Sequence, residues 1–173
     1  MQAMTRTQNV TRLTMLTLLA AGLFLAMLGP QQLRAETGMA KVVYHVDFAD
    51  PNRVSAMLTN INNMVMHYNN EFIDYDVRIV FLSHGIRFVT DDKLANTPFA
   101  EDKALAELRE NLRGRLSSLA SIHNVKLELC EITRTAVSLE EDKLYGSVTM
   151  VPSGVVRIAE LQNQEGFAYI KVE

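Results

Sequence analysis

The chain has 173 residues, with 17 Lys and Arg against 20 Asp and Glu, one cysteine and no tryptophan. That balance offers no basic footprint for nucleic acid, and a single thiol cannot close an internal disulfide. No GxGxxG or P-loop pattern cradles a nucleotide, and no GxSxG elbow presents a hydrolytic serine.

Residues 1–35 read as a secretory signal peptide. Arg6 and Arg12 precede an uncharged run of 16 residues, Leu13 to Leu28, which Gly29-Pro30 breaks before Leu33-Arg34-Ala35 ends on a small residue. The run is short of the roughly 20 residues that span a bilayer. The expectation is cleavage near Ala35 and a periplasmic or secreted protein, with no stable membrane insertion afterwards; a retained anchor is the alternative. No Arg-Arg pair signals twin-arginine export. Arg6, Arg12 and Arg34 leave with the signal, so 14 of the 17 basic residues face all 20 acidic ones in residues 36–173. Those 138 residues make one ordinary domain.

Lys41 to Asp47 is a Val- and Tyr-rich run that predicts a buried first strand. Asp50-Pro51 then supplies a helix cap with proline at the first helical position. Val54, Met57, Leu58, Ile61, Met64, Val65 and Tyr68 follow at helical spacing. Asp76 to Leu82 predicts a second strand that runs into Ser83-His84-Gly85. Thr97-Pro98 opens the next predicted helix, with Leu105, Leu108, Leu112, Leu116 and Leu119 on one face. Val125 to Cys130 is a third strand, and Glu131 to Val137 reads as a turn feeding a helix. A short strand at Val148 to Val151, a helix from Ser153 to Gln164 and a last strand, Phe167 to Val172, complete the chain.

This alternation predicts an α/β fold: a mostly parallel five-stranded sheet with helices on both faces. The last connection looks short, which leaves the final strand free to run antiparallel at the edge. Ligands in such sheets bind beyond the carboxyl ends of the strands, near the switch in strand order. Asp47, His84 and Cys130 end strands there. With the first strand between the other two, His84 and Cys130 would flank it, their backbones about 10 Å apart.

Cys130 has two readings. A thiol facing a helix start is favoured as thiolate and becomes nucleophilic; a buried free cysteine can equally pack as a small hydrophobe. Glu131 and Glu128 would raise its pKa, while Arg134 and the helix start would lower it. His84 could move a proton or orient a sulfur species, and Gly85 lets backbone approach a bound group. Asp47 and Asp50 serve capping or the ligand edge. His45, in mid-strand, reads as a satisfied core residue. Met64-Val65-Met66-His67 offers soft-metal side chains, but residues two apart on a helix do not converge; no metal or other cofactor is implied.

Strand 41–47, the Ser83-His84-Gly85 turn, the strand ending at Cys130 and the tail from Val151-Pro152-Ser153-Gly154 through Gly166-Phe167-Ala168-Tyr169-Ile170-Lys171-Val172 resemble the DsrE/DsrF-like sulfur-relay family. The likeness is to an exported branch and covers Lys41 to Val172. It implies a flavodoxin-like three-layer sandwich, assembly as a trimer or hexamer, and a cysteine that carries a persulfide between donor and acceptor proteins. Cys130 matches that cysteine, and His84 the histidine of the His-Gly turn. Relatives follow the cysteine with Gly-Asn and a hydroxyl residue; here Glu131-Ile132 replaces the first two and Thr133 fits the third. The expected site is therefore Cys130 and His84, with Asp47, Gly85, Thr133 and Arg134 around the ligand. The alternative from the residues alone is an oligomeric binding module for a small ligand or a partner, with a structural cysteine.

Overall fold

The computed structural model describes residues 38–172. The signal-peptide reading of residues 1–35 lies outside them. Strands β1 (Ala40–Val46), β2 (Tyr75–Phe81), β3 (Lys126–Cys130), β4 (Val148–Val151) and β5 (Ala168–Ile170) form one sheet in the order β4-β3-β2-β1-β5. Every pairing in it is parallel. With helices on both faces, this is the expected α/β class, consistent with a flavodoxin-like three-layer sandwich.

Helices α1 (Pro51–Asn70) and α2 (Lys103–His123) share one face of the sheet. Their leucines, isoleucine and valines pack on Val42, Tyr44 and Val46 of β1, Val77, Ile79 and Phe81 of β2, and Leu127 and Leu129 of β3. Asp50 caps α1 as its sequence suggests, accepting from Asn52 N–H at 2.8 Å with Pro51 in the first turn. The other face is covered by α4 (Gly154–Asn163), whose Ile158 and Leu161 pack with Val43, Val80, Leu82 and Phe167. A short helix, α3 (Glu131–Ala136), follows β3 without a connecting loop.

Three expectations need correction. β5 runs parallel to β1, not antiparallel. The reason is α4: its ten residues span about 15 Å and carry the chain back to the amino end of the sheet before β5 begins. The first strand does not lie between the second and third; β2 does. The winding order therefore changes direction at β1 and β5. Finally, Thr97-Pro98 does not open a helix. The Thr97 hydroxyl donates to Leu94 C=O at 2.8 Å and accepts from Phe99 N–H, closing a local turn. Asp102 caps α2 instead, accepting from Leu105 N–H at 2.8 Å, and also binds Arg87 at 2.7 Å.

Candidate functional site

Cys130 is the last residue of β3 and the cap residue of α3, with its backbone still extended. It is the free thiol of the chain and is 5 % exposed. Cys130 makes no side-chain capping bond to α3, but the N–H groups of Gly154, Thr133 and Ile132 and the Thr133 hydroxyl act on its sulfur electrostatically. Two of the N–H groups belong to the first turn of α3, and one begins α4. Burial alone would raise the thiol pKa, but these donors outweigh it and hold the thiol below its ordinary value. The helix-start side of the sequence-level balance wins.

The carboxylates expected to oppose it are spent elsewhere. Glu131 is clamped by Arg134, whose guanidinium binds both its oxygens and also donates to Leu139 C=O. That pair holds the Glu131 carboxyl below the usual range. Glu128 shares the Cys130 face of β3 but sits between Arg78 Nη1 at 2.8 Å and Arg157 Nε at 3.1 Å. Arg134 therefore acts as a tie between α3 and the loop after it, not as a partner of the sulfur.

Gly154 is what allows α4 to start against the thiol. A Cβ there would lie 3.2 Å from Cys130 Cβ and 3.1 Å from Leu82 Cδ2, closer than most side chains tolerate. The register Cys130↔Val151 brings the end of β4 alongside, and Ser153 caps α4, accepting from Val156 N–H at 3.4 Å. Ser153-Gly154 was thus part of the site, not only of the family-like tail. The signal was available: a cap residue and a glycine two and three positions past a strand that pairs with the thiol strand.

The His84 turn follows β2, so it neighbours β3 directly. Ser83 begins a six-residue 3-10 segment, Ser83–Phe88, with a left-handed backbone of φ 51°. Its N–H donates to Thr133 Oγ1 at 2.9 Å, joining the turn to α3. Gly85 is obligatory for a different reason than ligand approach: a Cβ would stand 2.1 Å from Val46 C=O. The His84 ring meets Phe99 edge-on at 5.0 Å, and its Nδ1 lies 3.4 Å from Ser83 Oγ. Among the described residues, no hydrogen bond or ion pair links His84 to Cys130. The structure brings Cys130, Thr133 and the backbone of Ser83 together, and leaves the His84 ring beside Phe99.

Asp47 lies at the switch in strand order, on the far side of β2 from the thiol. Its carboxylate is 3.8 Å from His45 Nε2. His45 Nδ1 is 3.2 Å from the Tyr169 hydroxyl, while Nε2 is buried with no hydrogen-bond partner. His45 is thus only half satisfied. A groove of about 420 Å³, lined in part by Ser117, Asn124, Lys126 and Ser147, lies at the amino end of β3, opposite the thiol. Met66 of the methionine-rich stretch is exposed while Val65 is buried. Among the described residues, no cluster of three His, Cys, Asp or Glu is placed to hold a metal ion, and no helix is long and apolar enough to cross a membrane.

No curated protein matches the chain. Among solved structures, the protein of unknown function MTH1491 from Methanobacterium thermoautotrophicum is similar, with 26 % identity and a TM-score of 0.58. That likeness covers 76 % of this chain and 98 % of the other. The family model described as DsrE/DsrF-like matches residues 41–172, which include all five strands except the first residue of β1 and both helix starts that meet the thiol. With a parallel α/β sheet and a cysteine at the exit of its third strand, the chain belongs to the DsrE/DsrF-like family.

Proposed function

We propose that this protein is an exported sulfur carrier that holds a persulfide on Cys130. The observation that carries the reading is the thiol's place at the exit of β3, the start of α3 and against Gly154 at the start of α4, where helix-start N–H groups favour the thiolate. A thiolate so favoured is the nucleophile the chemistry requires. Its sulfur attacks a sulfane sulfur of the donor. An S–S bond forms at Cys130, the donor's S–S bond breaks, and the donor leaves as a shorter thiolate or sulfide. An acceptor thiolate then attacks the outer sulfur and Cys130 departs as thiolate, so electrons balance without a cofactor. The DsrE/DsrF-like family supports sulfur relay at the level of the fold. Export and a family-like trimer or hexamer belong to the same reading. Exposed Ile132 in the first turn of α3 and Val155 and Val156 in the first turn of α4 give a partner protein apolar surface to meet.

The test is intact mass of the purified protein after exposure to polysulfide, with Cys130→Ala alongside. The expected result is a gain of about one sulfur atom, reversed by reductant and absent from the variant. An unchanged mass would overturn the carrier. The burial of Cys130 favours a second reading, a binding module in which the cysteine only packs. In that case the thiol alkylates only after denaturation.

A further inference from the structure

Phe72 stands where a phenylalanine is least at home. It follows α1 with a left-handed backbone of φ 54°, a conformation that glycine or asparagine usually supplies and that a bulky side chain rarely adopts. Its N–H donates to Asn69 C=O at 3.3 Å, and Ile73 N–H donates to Tyr68 C=O at 2.9 Å, the pair of bonds that closes a helix around such a residue. The end of α2 is ordinary by comparison, with left-handed Asn124 at φ 53°. Packing does not explain Phe72 either, because it is 96 % exposed. A strained residue with no use inside the fold implies a use outside it.

Two more exposed apolar side chains lie at the same end of the sheet. Met39, half exposed, precedes Ala40, and Ala40 N–H donates at 2.8 Å to the C=O of Asp74, two residues past Phe72. Ile122, 72 % exposed, precedes His123, whose C=O accepts from the Tyr75 hydroxyl at 3.1 Å. The Tyr75 ring is 5.7 Å from that of Tyr68, and rings with a polar tip suit the boundary between lipid and water. Leu28 ends the uncharged run of the sequence, and ten residues later the described domain begins at Gly38, next to Met39. A connection of that length reaches at most about 35 Å. Three side chains fall far short of the roughly 20 residues a side that a stable protein interface takes, whereas a few apolar groups suffice to enter a lipid surface.

We propose that the amino end of the sheet is a bilayer-contact surface, with Phe72 inserted among the acyl chains and Met39 and Ile122 beside it. This is a contact with the surface, not a span. Glu71 and Asp74 are exposed on either side of Phe72, so the contact suits zwitterionic lipid and not an anionic surface. Cys130, at the carboxyl end of β3, then faces away from the membrane. The contact does not depend on whether Cys130 carries sulfur.

The chain has no tryptophan, so a single introduced indole reports its own surroundings. Phe72→Trp, Ile122→Trp and, at the thiol end, Val156→Trp are each made in the full chain and mixed with phosphatidylcholine vesicles, with and without bromine on the acyl chains. The indoles at positions 72 and 122 are expected to shift to the blue and to be quenched by brominated lipid, and the indole at position 156 to do neither. Adding Phe72→Ser to Ile122→Trp is expected to cut the quenched share about tenfold, the loss of one aromatic side chain's burial. No quenching at position 72, or equal quenching at 72 and 156, overturns the proposal. So does an indole at position 72 that is blue-shifted without lipid and returns to the red on dilution, which would assign the patch to a second copy of the chain.

Discussion

The two faces of this sheet are built on different principles. Under α1 and α2 the buried side chains of β1, β2 and β3 are apolar throughout, and the layer is held by area removed from water. Under α4 the apolar cluster is small, and beside it lies a chain of charges: Asp76, Arg78, Glu128, Arg157 and Glu165. Arg78 grips Asp76 through two hydrogen bonds, at 3.1 and 2.7 Å, and also lies over the Phe167 ring at 5.1 Å. The first face would tolerate many apolar side chains of similar volume. The second fixes one placement of α4, because Arg157 must reach both Glu128 and Glu165. That placement sets Gly154 against the thiol.

The largest effect should come from breaking each face at its centre. Phe81→Ala empties a fully buried site under the two long helices and should cost about 4 kcal/mol. Glu128→Gln removes the carboxylate that Arg78 and Arg157 share, leaving two half-buried guanidinium groups with only Asp76 and Glu165, and should cost about 2 kcal/mol. Denaturant unfolding measures both. The outcomes that distinguish the faces concern the thiol: Glu128→Gln should raise the thiol midpoint of Cys130 by loosening α4, whereas Phe81→Ala should not. An equal rise in both would mean that the charge network has no special hold on α4.

Acid gives a milder way to separate the faces. Burial would raise the Asp76 carboxyl, but hydrogen bonds from Arg78 and Lys126 hold it below the usual carboxylate range. Its folded-state pKa is therefore depressed, so its contribution is present above the unfolded carboxylate pKa of about 3.9 and is lost as pH falls through the folded value. Wild type should lose more stability on acidification through that window than Asp76→Asn. Parallel acid curves would show that Asp76 contributes no linkage.

These contrasts explain what could be read beforehand. The apolar face was legible: the stripes at Val54 to Val65 and Leu105 to Leu119, and the runs in β1, β2 and β3, follow helical and strand periods directly. The thiol's position at a strand exit and helix start was legible for the same reason. Strand order was not, because nothing local in β1 says which neighbour it takes. Nor were the partners of Cys130. Gly154 lies 24 residues further along, and only the parallel register of β4 with β3 delivers it. The carboxylates near Cys130 misled because sequence proximity does not show direction. Glu131 turns to Arg134, and Glu128, two residues before the thiol, is claimed from β2 and α4.

Gly154 is where the smallest but most specific perturbation can be made. Alanine in the first turn of α4 gains helix propensity, roughly 1 kcal/mol over glycine, and meets Leu82 Cδ2 at 3.1 Å and Cys130 Cβ at 3.2 Å. Leu82 can rotate away at its tip; Cys130 Cβ is fixed to the strand. The relief open to the chain is a shift of α4 by a few tenths of an ångström away from β3, which lengthens the Gly154 N–H contact to the sulfur. Stability should therefore stay within about 1 kcal/mol of wild type, while the thiol midpoint rises and the thiolate population at neutral pH falls roughly threefold. A calorimetric scan and a thiol titration on the same sample read both quantities. A large loss of stability with an unchanged thiol would mean that the glycine serves packing alone, and that α3 by itself supplies the donors that matter.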